Sequence, residues 1–171
     1  MNPTATLYMT NGAKITIELL PEYAPNTVNS FIYAASHKVF DQHPIERIVP
    51  GNWIDMSYTG FRKAEGQYLI PYESNLHPEI SPLDSDVGCV CMGGYGELGQ
   101  AGCEFFFPLR ACPEHKGLYP VFGKVISGLD EILRLEHIPT RPVEDFPIPG
   151  IEVNTPVTPE IIDHVELNLH G

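Results

Sequence analysis

Basic charge is scarce in this sequence. Ten Lys and Arg stand against 22 Asp and Glu, for a net charge of −12 and a pI near 4.8. That balance excludes a general nucleic-acid binder and a protein that sits on anionic membranes, since both need basic patches. No apolar run approaches the roughly 18 residues needed to span a bilayer. The start, MNPTATLYMTNGAKITIELL, has no basic region followed by an apolar one, so no secretory signal is expected and a cytoplasmic location is. Cysteine is sparse too: Cys89, Cys91, Cys103 and Cys112 form no two closely spaced pairs, and no His-x-x-x-His occurs. Zinc is therefore not expected, and no other cofactor is indicated. Cys89 and Cys91 point to one face of a strand, and the four thiols read as small buried apolar groups.

What remains is an ordinary globular composition, 43% hydrophobic and 19% charged. At 171 residues it is read as a single domain, 1–171, expected to be monomeric. Strand patterns dominate. ATLYM and KITIEL flank Asn11-Gly12, a strong hairpin signal, and Ile15, Ile17 and Leu19 alternate with polar residues. APNTVNSFIYAASHK changes period: Val28, Phe31, Ile32 and Ala35 fall on one helical face, with Asn26 or Thr27 suited to the N-cap. IERIVP, VGCVCM, CEFFFPL and PVFGKVI read as further strands. LDEILRLEHI reads as a second helix offering Leu129, Ile132, Leu133 and Ile138 to a core. Residues 139–159 hold six prolines, which implies an extended surface loop, and EIIDHVELNLH closes the chain as a strand. Many short strands with a helix near each end point to a closed or nearly closed β-barrel capped by helices.

The stretch CMGGYGELGQAGCEFFF contains Gly94-x-Gly96-x-x-Gly99, the spacing of a dinucleotide fingerprint. Such a fingerprint must open a helix, because the pyrophosphate rests on the helix N-terminus. Here three aromatics and a proline follow, which is a strand, and repeated βαβ units are missing. The spacing is that of a glycine-rich turn.

The ordered blocks KITIEL-PEYAPNTVNSF, FDQHPIERIVPG, GCVCM, GCEFFF and PVFGKVISGLDEI resemble the cyclophilin family of peptidyl-prolyl cis-trans isomerases over almost the whole chain. The resemblance implies a mainly β fold: a closed, antiparallel, eight-stranded barrel capped by two α-helices, with a substrate groove on its outer face. It implies proline-containing peptides or unfolded proteins as partners. Gly94 and its loop would be a turn beside the groove.

Rotation about an X-Pro bond meets a barrier of about 18–20 kcal/mol, mostly lost amide resonance. In the twisted state the nitrogen regains a lone pair. A cationic donor set against it binds that state better than either planar isomer. By the resemblance, Arg47 falls on the catalytic arginine and Phe106 on the floor of the proline pocket. Glu104 falls on a glutamine, Cys103 on a serine and Tyr119 on a histidine or tyrosine, with Leu118 at the same rim. The departures lie in the pocket. Asn52 replaces an aromatic wall, Trp53 a methionine, Asp55 the glutamine that orients the arginine, and Glu46 a histidine. The family's tryptophan that contacts cyclosporin is missing, with Glu114 nearest. A carboxylate at Asp55 is expected to grip Arg47 and compete for its donors. Two readings follow: a prolyl isomerase, or a binding module of the same fold that holds proline-containing segments with little turnover. A redox role for the cysteines lies outside the family.

Overall fold

The computed structural model describes residues 1–56, 63–95 and 98–170; Gly96 of the glycine loop lies outside them, as does most of the MSYTG segment. In chain order the strands and helices are β1 (Thr4–Met9), β2 (Lys14–Leu19), α1 (Pro25–Ser36), β3 (His43–Pro44), β4 (Arg47–Val49), β5 (Trp53–Asp55), β6 (Ile70–Pro71), α2 (Glu73–Leu76), β7 (Cys89–Tyr95), β8 (Gln100–Pro108), β9 (Val121–Ser127), α3 (Leu129–Glu136), β10 (Thr140–Pro142), β11 (Asn154–Pro156) and β12 (Ile161–Asn168).

Ten strands form one antiparallel sheet in the order β3-β12-β1-β2-β9-β7-β8-β5-β4, with β6 on β8. The sheet curls but does not close, which corrects the expected closed eight-stranded barrel. The reason lies at its ends. β3 and β4 are two and three residues long, pair with β12 and β5 respectively, and do not pair with each other. Three α-helices are present among the described residues, not two; the short α2 is the addition.

The β1–β2 hairpin turns where expected. Gly12 sits at φ +91°, a left-handed conformation that costs glycine nothing, and Asn11 Oδ1 accepts from the Ala13 N–H at 2.9 Å. The concave face of the sheet is filled by aromatics. Phe31 of α1 lies 5.2 Å from Phe40, 5.6 Å from Phe105 and 5.2 Å from Phe122, ring centre to ring centre. Each such ring contributes about 1.5–3 kcal/mol by leaving water.

Helix α1 has no cap of its own. The expected N-cap at Asn26 or Thr27 is corrected: Ala24 precedes the helix, and Glu73 of α2 caps it from a distance. The Asn26 N–H donates to the buried Glu73 carboxylate at 3.2 Å, the Thr27 N–H at 2.8 Å and the Thr27 hydroxyl at 2.7 Å. A carboxylate there satisfies N–H groups that the helix leaves open and meets the positive end of its dipole. In α3 the inward residues are Ile132 and Leu135, while Leu133, expected in the core, is 41% exposed. The proline-rich segment is not wholly a loop either, because β10 and β11 pair within it.

Candidate active site

One register row crosses five strands. Arg47 pairs with Asp55, Asp55 with Phe106, Phe106 with Cys91, and Cys91 with Val121. Alternation then sorts the faces. Ile48, Ile54, Phe105 and Phe107 enter the main core, whereas Phe106, Cys89, Cys91 and Val121 form a second apolar cluster on the outer face. The row is thus charged at one end and apolar at the other, and a groove of about 420 Å³ opens over it.

The floor is Phe106. His115 meets its ring edge-on at 5.8 Å and Tyr119 at 6.0 Å, and Trp53 lies 5.3 Å from His115. Burial holds the His115 imidazole below its usual titration range, so it is neutral near pH 7. Arg47 lies at the opposite side, 6% exposed. Its Nη1 donates to Asp55 Oδ2 at 2.6 Å and its Nε to the Glu152 carbonyl at 2.8 Å, and its guanidinium stands 5.7 Å from the centre of the Trp53 ring. The pairing with Asp55 is single, not the bidentate fork a guanidinium can make. Of five guanidinium N–H groups, two are engaged with described residues.

Glu104 stands two residues before Phe106 on the same face of β8 and lines the same groove. Its Oε2 is buried with no hydrogen-bond partner among the described residues. Burial raises its carboxyl to about 7, and the charge of Asp55 adds to the rise. Two further groove residues, Trp53 and His115, carry a buried nitrogen without a partner among the described residues, Nε1 and Nδ1 respectively.

The sequence matches the family described as cyclophilin type peptidyl-prolyl cis-trans isomerase/CLD over residues 5–155. The chain belongs to that family. Peptidyl-prolyl cis-trans isomerase B of Bacillus subtilis is 32% identical over 127 residues, 74% of this chain and 86% of that protein. Peptidyl-prolyl cis-trans isomerase-like 2 of Cryptococcus neoformans is 30% identical over 148 residues, 84% of this chain; the chain spans 25% of that relative's length. A cyclophilin type peptidyl-prolyl cis-trans isomerase of Cryptosporidium parvum shares the fold, with a TM-score of 0.77 at 18% identity and full coverage of both chains. A second structure of that protein, obtained in the presence of the dipeptide Ala-Pro, has a TM-score of 0.75, covering 96% of this chain and 98% of that one.

Within this cyclophilin-type groove the structure brings together Arg47, Asn52, Trp53, Asp55, Glu104, Phe106 and Tyr119. Two expected residues do not line it. Leu118 is 44% exposed, because the turn that carries it directs Tyr119 inward instead. Gly94 is packed against the β8 backbone, and its neighbour Gly93 lines the groove. Asn52 does not leave an unpaired polar wall: Arg110 Nε donates to its Oδ1 at 2.8 Å, and Arg110 Nη2 donates to Glu114 at 2.7 Å. His115 escapes the sequence reading, although its position four residues before Tyr119 in a turn was a usable signal. Gly150, Ile151 and Glu152 escape it because only the fold carries the proline-rich segment to Arg47. Among the described residues no cluster of three or more His, Cys, Asp or Glu could hold a metal ion, and no helix is long and apolar enough to cross a membrane.

Proposed function

We propose that the protein catalyses cis-trans isomerisation of X-Pro bonds, with Arg47 as the group that favours the twisted amide. The carrying observation is Arg47 itself, a buried cation on the groove wall with part of its guanidinium uncommitted, on one register row with Phe106. Phe106, His115 and Tyr119 receive the proline ring and keep water from it. The Cryptosporidium neighbour, studied with Ala-Pro, supports such an occupant. The Glu152 carbonyl and Asp55 fix the guanidinium plane, so little reorganisation accompanies the twist of the amide. The remaining N–H donors meet the nitrogen lone pair that exists only in the twisted state, which lowers the barrier and leaves both planar isomers unaffected. No nucleophile and no proton transfer enter. Asp55 tempers the arginine, because its charge offsets part of the field felt by the nitrogen.

The test is NMR exchange on a neutral X-Pro peptide with wild type, Arg47→Ala and Arg47→Lys. Arg47→Ala is expected to lower kcat/KM by about 10²–10³, the usual cost of one transition-state donor. Arg47→Lys keeps a partner for Asp55 but loses the planar fork, and is expected to be slow as well. Unchanged rates in the folded variants would remove Arg47 from the mechanism. Wild type that binds the peptide without accelerating exchange would make the protein a binding module instead.

A further inference from the structure

The charges lining the groove do not balance. Among the described residues its lining holds one cation, Arg47, and three carboxylates, Asp55, Glu104 and Glu152. Arg47 is paired with Asp55 at 2.6 Å, and the Glu152 carboxylate accepts from Asn154 at 2.8 Å. Glu104 is the carboxylate left over, with a buried oxygen that no described donor reaches. His115, also in the lining, is held neutral by burial and supplies no charge near pH 7.

Glycine makes room for the backbone and the carboxylate of Glu104. A Cβ on Gly93 would stand 2.8 Å from the Glu104 carbonyl oxygen and 3.8 Å from Phe106 Cδ1, and one on Gly102 would run into the Glu104 carboxylate. Glu104 thus lies on the groove lining beside the proline floor. Glu104 and Phe106 are two residues apart on one strand face, about 7 Å along β8. An extended peptide with its proline on Phe106 therefore passes a neighbouring side chain over Glu104, within the reach of a lysine or arginine.

We infer that this groove selects X-Pro segments carrying a lysine or arginine within two residues of the proline, and that Glu104 is the residue that reads the cation. The inference rests on the isomerase reading of the site and deepens it by naming the substrate class. An ammonium or guanidinium at Glu104 supplies the hydrogen bond that Oε2 lacks. It also offsets the burial that now raises the carboxyl to about 7. The net charge of −12 draws cationic segments toward the protein before they dock.

The experiment uses the peptide Ala-Ala-Pro-Ala and its versions with lysine, or with glutamate, at each position flanking the proline. Exchange by NMR gives kcat/KM, and calorimetry gives Kd, for wild type, Glu104→Gln and Glu166→Gln; Glu166 lies on β12 and does not line the groove. Wild type is expected to favour lysine over alanine about tenfold at one flanking position and to disfavour glutamate there. In Glu104→Gln the lysine-to-alanine ratio is expected to fall to about one, while in Glu166→Gln it stays near ten. Turnover of all peptides without a lysine preference overturns the inference and leaves the isomerase reading standing. No turnover of any peptide overturns the isomerase reading, and the calorimetric ratio then decides the inference alone. Equal loss of the ratio in both variants assigns the preference to overall charge and overturns the role of Glu104.

Discussion

Replacing Glu104 by glutamine is expected to stabilise the protein, and only at high pH. A solvated glutamate titrates at 4.5, whereas Glu104 in the fold titrates at about 7 because its carboxyl is buried, with one oxygen that no described donor reaches. The folded state therefore holds a proton between these values that the unfolded chain has released. Stability contributed by the protonated carboxyl is complete below pH 4.5 and is lost as pH rises through 7. A displacement of one pKa unit corresponds to 1.36 kcal/mol, so ionised Glu104 costs the fold at most about 3 kcal/mol, and about 2 once water in the groove is allowed for. Glutamine is neutral throughout and nearly the same shape. Urea unfolding should find Glu104→Gln more stable by about 2 kcal/mol at pH 8 and by no more than a few tenths at pH 4.5. In thermal unfolding the gain at pH 8 is a rise in Tm of about 4–8 °C. A gain of the same size at both pH values would assign the effect to packing. No gain at pH 8 would mean that the carboxyl is solvated or paired, and the account of its titration would fall.

Two further substitutions test the scaffold around the groove. Asp55→Gln frees the guanidinium of Arg47 and is expected to raise turnover of a neutral X-Pro peptide a few-fold, while lowering stability by about 2–3 kcal/mol because a buried ion pair at 2.6 Å loses one partner; slower turnover in a folded variant would make the carboxylate part of the catalytic arrangement. Glu73→Ala removes the distant cap of α1 and leaves the buried Thr27 N–H and hydroxyl without their acceptor, so denaturant unfolding should find a loss of about 2–3 kcal/mol, and a loss under 0.5 kcal/mol would show that water replaces the cap.

Much of the groove was legible in the chain because it is written in short-range pattern. Alternation along CEFFFPL separates Phe106 from Phe105 and Phe107, and the same alternation sets Arg47 and Asp55 apart from Ile48 and Ile54. The block order carries the family, and with it the pairing of Arg47 with a residue eight positions on. Tertiary structure decided the rest. Whether the sheet closes depends on two short edge strands meeting or missing, which no local period encodes. The cap of α1 comes from Glu73, 46 residues beyond Thr27. Glu152 reaches Arg47 across 105 positions, through a segment whose prolines announce only irregular chain. That no described donor reaches Glu104 Oε2 is likewise a property of its surroundings. A glutamate's letter gives its charge, but burial beside Phe106, with glycines in place of donors, determines where it titrates and what it still lacks.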